Sequence, residues 1–271
     1  MKRLLPFALL LLGSCTEAPR VLRVCVDPNN LPFSNRAGQG FENRLAELVA
    51  RELGASLTYT WWAQRRGNVR ETLNAGLCDL IPGVGAGLEM LATTRPYYNS
   101  TYVAVTRADR NLAIESFDDP RLRNLRIGVQ MIGDDFSNTP PSHALARRGL
   151  VSNVRGFMVY GDYARPAPQA DIVAAVASGA IDVAYVWGPV AGYFARRQSV
   201  PLRLTPAPGE DRVSGFPMAF AVAMGVRRRD RELKVEVERV LERRSDEVAR
   251  ILHAYGVPTV ASAPAPPEDG D

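Results

Sequence analysis

The stretch DPNNLPFSN, residues 27–35, gathers Asp27, Asn29 and Asn30 within four positions, with Phe33 close behind. One carboxylate and two amides at that spacing can hold several polar atoms of a single ligand. The same residues also suit Asx turns that satisfy only their own backbone. Their position in the fold has to decide between the two. Further residues that could take part in binding are Trp62, Arg65, Arg66, Gly83, Tyr97, Asp134 and Trp187. Trp61 and Trp62 point to opposite faces of an extended chain, so at most one of them can face a ligand. The run Gly83-Val84-Gly85-Ala86-Gly87 lacks the Lys-Ser/Thr that completes a phosphate loop. Trp187, followed by Gly188-Pro189, is the residue that packing explains least. The two histidines, His143 and His253, sit in no recognisable catalytic or metal motif. No cofactor or metal site is expected.

The elements that must position these residues follow from periodicity. Residues 22–26 form a short apolar run, the first strand. Residues 40–53 place Phe41, Leu45, Leu48, Val49 and Leu53 on one helical stripe, with Gly54 suited to the helix end. The pattern predicts strands over 57–62, 78–82 and 101–106 and a short helix over 68–75. It then starts again: strand 126–130, helix 142–148, strand 157–160, helix 171–177, strand 181–187. A strand over 216–225 and one long helix over 230–255 follow. Alternation of this kind predicts an α/β fold with mostly parallel sheets flanked by helices. Two such units predict two lobes, 21–107 with 214–257 and 108–213, joined by crossings near 106–110 and 209–215. Ligands of open α/β sheets lie beyond the carboxyl ends of the strands. The candidate residues lie at such ends and would converge on one cleft. The Pro/Ala-rich, acidic residues 258–271 are expected to be a disordered tail.

The 271 residues carry 33 Lys and Arg against 29 Asp and Glu, a net charge of +4. The charges are interspersed, which argues against nucleic acid as a partner. Residues 1–14 pair Lys2 and Arg3 with an apolar run too short to span a bilayer, as in an export signal. Leu12-Gly13-Ser14-Cys15 resembles a lipobox, so Cys15 is a lipidation candidate and the only expected tie to a membrane. Export places Cys25 and Cys78 in an oxidising compartment, the periplasm. They form either a disulfide or two buried thiols.

In its overall order the chain resembles type II periplasmic solute-binding proteins, the receptors of ABC importers. It is more similar to one branch, the quinoprotein dehydrogenase-associated proteins of the MoxJ/XoxJ type, encoded beside PQQ-dependent methanol dehydrogenases. The segments LRVCVDPNNLPFSN, GFENRLAELVARELG, WWAQRRGNVRETLNAGLCD, TTRPYYNSTYVAVTR, ADIVAAVASGAIDVAYVWGPVAGYFA and AMGVRRRDRELKVEVERVLERR carry the resemblance. It implies the two-lobed type II fold with two hinge crossings. It also implies a non-catalytic accessory of a calcium- or lanthanide-type PQQ-dependent methanol or alcohol dehydrogenase. Such an accessory would act in maturation or activation by binding part of the enzyme in or near the cleft. The alternative is a receptor for a small non-zwitterionic solute, with an ABC permease as partner. A dehydratase-like enzyme would need a positioned acid, for which Glu42, Asp134 and Asp135 are the near candidates. Amino-acid receptors carry an Arg after the third strand and an Asp at the end of a later one. Here those places hold Gly83–Met90 without an Arg, and Trp187. A zwitterion would lose both of its charged partners.

Overall fold

The computed structural model describes residues 19–133, 138–160 and 163–261. The first unit opens with β1 (Val21–Val26), the short pair β2 (Asn29–Asn30) and β3 (Ser34–Asn35), and helix α1 (Phe41–Glu52). It continues through β4 (Ser56–Trp61), α2 (Asn68–Glu71), β5 (Ile81–Gly85), β6 (Ala92–Thr93) and the long β7 (Tyr98–Arg107). The second unit holds β8 (Ile127–Met131), α3 (Pro140–Arg147), β9 (Val154–Met158), α4 (Asp171–Ala177), β10 (Val183–Trp187), α5 (Gly188–Ala195) and β11 (Leu202–Pro206). The chain returns through β12 (Ala219–Val226), α6 (Arg231–Arg243) and α7 (Ser245–Ala254).

Each unit has a parallel part. β1 pairs in parallel with β4, and Val24 bridges Leu80 on the other side. In the second unit β8 pairs in parallel with both β9 and β10. Apart from the short antiparallel pair β2 and β3, which forms a sheet of its own, the remaining pairs, β12 with β5, β6 and β7, and β7 with β10 and β11, are antiparallel. The sheet is therefore mixed, and the antiparallel pairs belong to the strands that run between the units. β7 changes partners part-way along. Tyr98 to Thr101 pair with β12, while Tyr102 to Arg107 pair with β10 and β11. This change falls ahead of the crossing expected at 106–110. The return crossing lies between the end of β11 and the start of β12.

Helix α1 packs Phe41, Leu45, Leu48 and Val49, all essentially inaccessible, against β1 and the last two helices. Gly54 takes φ +62 just after it, a conformation that a Cβ would strain. The single helix expected over 230–255 is two, broken at Arg244, whose guanidinium reaches Glu52 at 2.8 Å. At 1.5 Å per residue a straight helix of that length would run roughly twice as far as α1. The break folds Val237, Val240 and Leu241 of α6, with Val248 and Leu252 of α7, into one core over α1.

Three other expectations need correction. Gly83 and Gly85 lie inside β5 instead of in a turn, because β12 pairs with this strand antiparallel, opposite Gly85 and with a register shift at Gly83. The helix expected over 68–75 closes after Glu71. Pro258 and Val260, expected in the tail, are held: Ser100 Oγ donates to the Pro258 carbonyl at 2.6 Å and Val260 N–H to the Asn99 carbonyl at 3.0 Å. Residues 1–18, with Cys15, lie outside the described residues. No helix of the described residues is long and apolar enough to cross a membrane.

The two units share a device at the head of their parallel strands. Arg23 donates to the Gly76 carbonyl at 2.8 Å and to the Asp79 carboxylate. Arg126 likewise donates to the Gly179 carbonyl at 2.8 Å and to the Asp182 carboxylate. Asp182 also accepts from Arg110 and is buried. The Arg126 guanidinium beside it, with Arg110, holds its carboxyl well below the usual carboxylate range. Cys25 and Cys78 are joined in a disulfide with Cα atoms 5.6 Å apart, which resolves the choice between bridge and thiols.

Candidate functional site

The carboxyl ends of the strands do converge. Between the two units lies a cavity of about 440 Å³. Of the residues singled out in the sequence, Asn30, Phe33, Gly83 and Trp187 line it. Trp187 stands at the end of β10 with its ring 5.3 Å from Tyr102 and 5.9 Å from Phe220.

Asp27 does not line the cavity but holds its wall. Its side chain is fully buried and accepts from the backbone N–H of Asn29 and of Gln64, each at 2.8 Å, and from the Tyr163 hydroxyl. Burial, then Asp27, pushes the Tyr163 phenol well above its ordinary value, so it remains a donor. Asn29 bridges the units: its amide donates to the Arg165 carbonyl at 2.8 Å and the Tyr163 carbonyl at 3.4 Å, and accepts from Ala167 N–H at 3.3 Å. Arg65 lies over the rings of Tyr163 and Tyr160, at 5.0 and 5.8 Å. These contacts close one rim of the cavity with protein alone.

Below that rim runs a chain of amides. The Trp187 backbone N–H donates to Gln130 Oε1 at 2.7 Å, and Gln130 Nε2 donates to Gln169 Oε1 at 3.3 Å. Gln169 donates to Asn30 Oδ1, and Asn30 Nδ2 donates to Gln64 Oε1 at 3.2 Å. Asn30 thus belongs to a wall shared by both units. It is not a turn closed on itself.

The other predicted residues lie elsewhere. Trp62 is 43% exposed and points away from the cavity lining, and Trp61 packs on Tyr59 with ring centroids 4.9 Å apart. Neither indole of that pair reaches the cavity. Arg66 is exposed and also outside the lining. Tyr97 donates to the Pro82 carbonyl at 2.9 Å and faces a separate hollow beside α6 and α7. Arg95 lies in that hollow too, paired with Glu242 at 3.0 Å. Asp134 and Asp135 lie outside the described residues.

Glu42 was weighed in the sequence only as a candidate acid, and the structure gives it a larger place. It sits in the first turn of α1, lines the cavity and is 2% exposed. Its Oε2 has no hydrogen-bond partner. Gly83 makes room for it, since a Cβ there would lie 2.0 Å from Glu42 Oε1. Burial, reinforced by the charge of Asp27, pushes the Glu42 carboxyl up to about 8. The sequence signal, an acid in the first turn of an amphipathic helix, is the one a solvated helix start also gives. Tyr98, Tyr102, Tyr160, Tyr163 and Phe220 complete an aromatic lining that spacing alone did not gather. Among the described residues no group of acids, cysteines and histidines could hold a metal ion.

The Asn29 bridge predicts a measurable change. Asn29→Ala removes the bonds that tie the 163–167 segment to the first unit, at a cost of about 1–2 kcal/mol. Faster amide exchange over 163–169 and a larger radius of gyration in solution scattering are the expected readouts. Unchanged exchange there would show that the Asp27–Tyr163 bond alone holds the rim.

Two α/β units, a pair of crossings and a cavity between them define a binding protein of the type II periplasmic class. The chain belongs to the bacterial extracellular solute-binding proteins, family 3, whose sequence profile matches residues 22–257. Protein MoxJ of Methylorubrum extorquens is 33% identical over 246 residues, covering 88% of this chain and 81% of that protein. The crystal structure of periplasmic binding protein XoxJ from Methylobacterium extorquens AM1 superposes with a TM-score of 0.73 at 37% identity. It covers 89% of this chain and all of that one. The MxaJ crystal structure from Methlophaga aminisulfidivorans MPT gives a TM-score of 0.75 at 26% identity, with the same coverage. An ancestral cationic amino acid solute-binding protein, at 21% identity and a TM-score of 0.67, shares the fold.

Proposed function

We propose that this chain is an exported, non-catalytic accessory protein of a PQQ-dependent methanol or alcohol dehydrogenase, of calcium or lanthanide type. It acts in maturation or activation of that enzyme by binding part of it in or near the interlobe cleft. The kinship with MoxJ, XoxJ and MxaJ supports the partner. The observation that carries the departure from amino-acid receptors is the lining of the cavity. Among the described residues no Lys, Arg or His lines it, and Arg95 is paired on another face. A ligand carboxylate would meet no cation there, at a cost of roughly 1.5–3 kcal/mol for each charged hydrogen bond forgone.

The test is direct binding of the purified protein to purified calcium- and lanthanide-type dehydrogenases on a sensor surface. A saturable complex is expected. Trp187→Ala, which empties the cavity wall at the end of β10, is expected to weaken it about tenfold or more, the effect of a central aromatic anchor. If neither enzyme binds, the second reading takes its place. That reading is a receptor for a small non-zwitterionic solute delivered to an ABC permease, and the aromatic-lined cavity between the units is the observation that favours it.

A further inference from the structure

The cavity contains a group for which neither reading has a use. The Glu42 carboxyl is almost wholly buried, aimed into the cavity, and leaves one oxygen without a partner. Buried polar atoms in folded proteins are nearly always paired, and an exception calls for an explanation. The space that faces Glu42 is kept open for its carboxyl by the missing side chain of Gly83. Asp27, a second buried carboxylate, stands close enough to act on Glu42 electrostatically. No cationic side chain of the described residues lines the cavity, while seven aromatic rings do. Ring faces carry negative potential and favour a cation placed over them. At the rim, Tyr160 and Tyr163 already carry the Arg65 guanidinium over their rings; deeper in, around Glu42, the rings of Tyr98, Tyr102, Trp187 and Phe220 have no such cation among the lining residues.

We propose that the interlobe cavity binds a small organic ammonium ion, with the Glu42 carboxylate as its counter-charge and rings such as Trp187, Tyr102 and Phe220 around its alkyl groups. The inference stands apart from the dehydrogenase reading, because an accessory protein and an importer receptor are equally able to hold such a ligand. An anion or a zwitterion's carboxylate would enter against the charge of Glu42 and Asp27 with nothing to pair it. A neutral alcohol of the same shape would pack its alkyl groups on the rings and hydrogen-bond the carboxyl, but it would gain neither the attraction of the ring faces for a cation nor that of the charge.

Binding of a fixed cation draws the proton off Glu42 and releases it to solvent. Affinity therefore rises with pH until Glu42 is ionised in the empty protein, near pH 8. The titratable groups close enough to act on Glu42 electrostatically are Asp27, just after β1, Tyr97, just before β7, and Tyr98, the first residue of β7. Both phenols are pushed well above their ordinary value, by burial first, and stay neutral through this range.

The experiment is calorimetric titration of the full chain with choline, with benzyltrimethylammonium as a larger probe, and with 3,3-dimethylbutanol, which matches choline in shape and carries no charge. The quaternary probes cannot titrate, so any pH dependence belongs to the protein. The ammonium probes are expected to bind at least about tenfold more tightly than the alcohol, with affinity rising towards tenfold per pH unit between about pH 6 and pH 8. Glu42→Gln, of the same size, is expected to abolish both the preference and the slope while remaining folded. Gly83→Ala, whose methyl group displaces the carboxyl, is expected to do the same. Equal affinity for the alcohol, retention of the preference by Glu42→Gln, or no binding of either ammonium probe overturns the proposal. If Glu42→Gln does not fold, the charge preference and pH slope of the unaltered protein carry the test. None of these results bears on the complex with a dehydrogenase, which is measured separately.

Discussion

The double variant Cys25→Ala/Cys78→Ala is expected to unfold with about 4 kcal/mol less resistance than the oxidised protein. The bridge closes a loop of 53 residues, which the unfolded chain can no longer open. The loss of loop entropy alone reaches that size. Packing adds to it, because both cysteines are buried in a small core with Val69, Leu73, Ile81 and Leu91. For a chain of this length each kcal/mol moves the melting midpoint by roughly 2–4 °C, so a drop of about 10 °C is expected. The position of the bridge gives it a second consequence. It ties β1, which leads into Asp27, to the segment that leads into Gly83. The reduced protein is therefore expected to loosen the two supports of the Glu42 carboxyl, and any ligand affinity should fall with the melting point. Thermal melts of the variant and of the oxidised protein, run side by side, check the first claim. A difference within about 2 °C would show that the 25–78 loop is already constrained in the unfolded chain.

Much of this architecture was legible because local signals and tertiary demands agree. The strand expected at 22–26 is Val21–Val26, and the helix expected at 171–177 is found at those residues. The restart of the pattern after residue 125 is real, and the Arg23–Gly76–Asp79 and Arg126–Gly179–Asp182 clusters repeat it in atomic detail. The failures share a cause. Gly83 and Gly85 read as a turn until β12, far along the chain, offers their strand a partner. The stripe over 230–255 reads as one helix, because periodicity does not register how short a neighbour it must cover. The amide wall joins Gln130 to Gln169, 39 residues apart, and Gln169 to Asn30, 139 residues apart. No local pattern distinguishes those glutamines from surface ones. Trp62 failed for a simpler reason: alternation fixes that the two indoles face opposite ways, and neither way leads to the cavity.

Glu42 also makes the stability of the protein depend on pH, in the direction opposite to an ordinary paired carboxylate. Its value rises from 4.5 to about 8 on folding. Between those limits the folded state keeps a proton that the unfolded state has released, so stability falls as pH rises. Across the whole window the loss amounts to about 5 kcal/mol, at about 1.4 kcal/mol per pH unit. Asp79, Asp182 and Asp211 are shifted the other way, towards lower values. Their stabilisation is present above their unfolded values and is lost on acidification, so it cancels when the protein is compared with Glu42→Gln at one pH. The difference between the two proteins is then expected to be small near pH 4 and to grow in favour of Glu42→Gln up to about pH 8. Denaturant unfolding across that range measures it. A flat difference would show that Glu42 ionises in the folded state as freely as in the unfolded chain. A rising one shows that the fold pays a penalty at neutral pH for an acid that it leaves without a partner. A bound ammonium ion removes most of that penalty, because it supplies the charge that Glu42 lacks. It should therefore stabilise the unaltered protein more strongly at pH 8 than at pH 5, and leave Glu42→Gln unmoved at both.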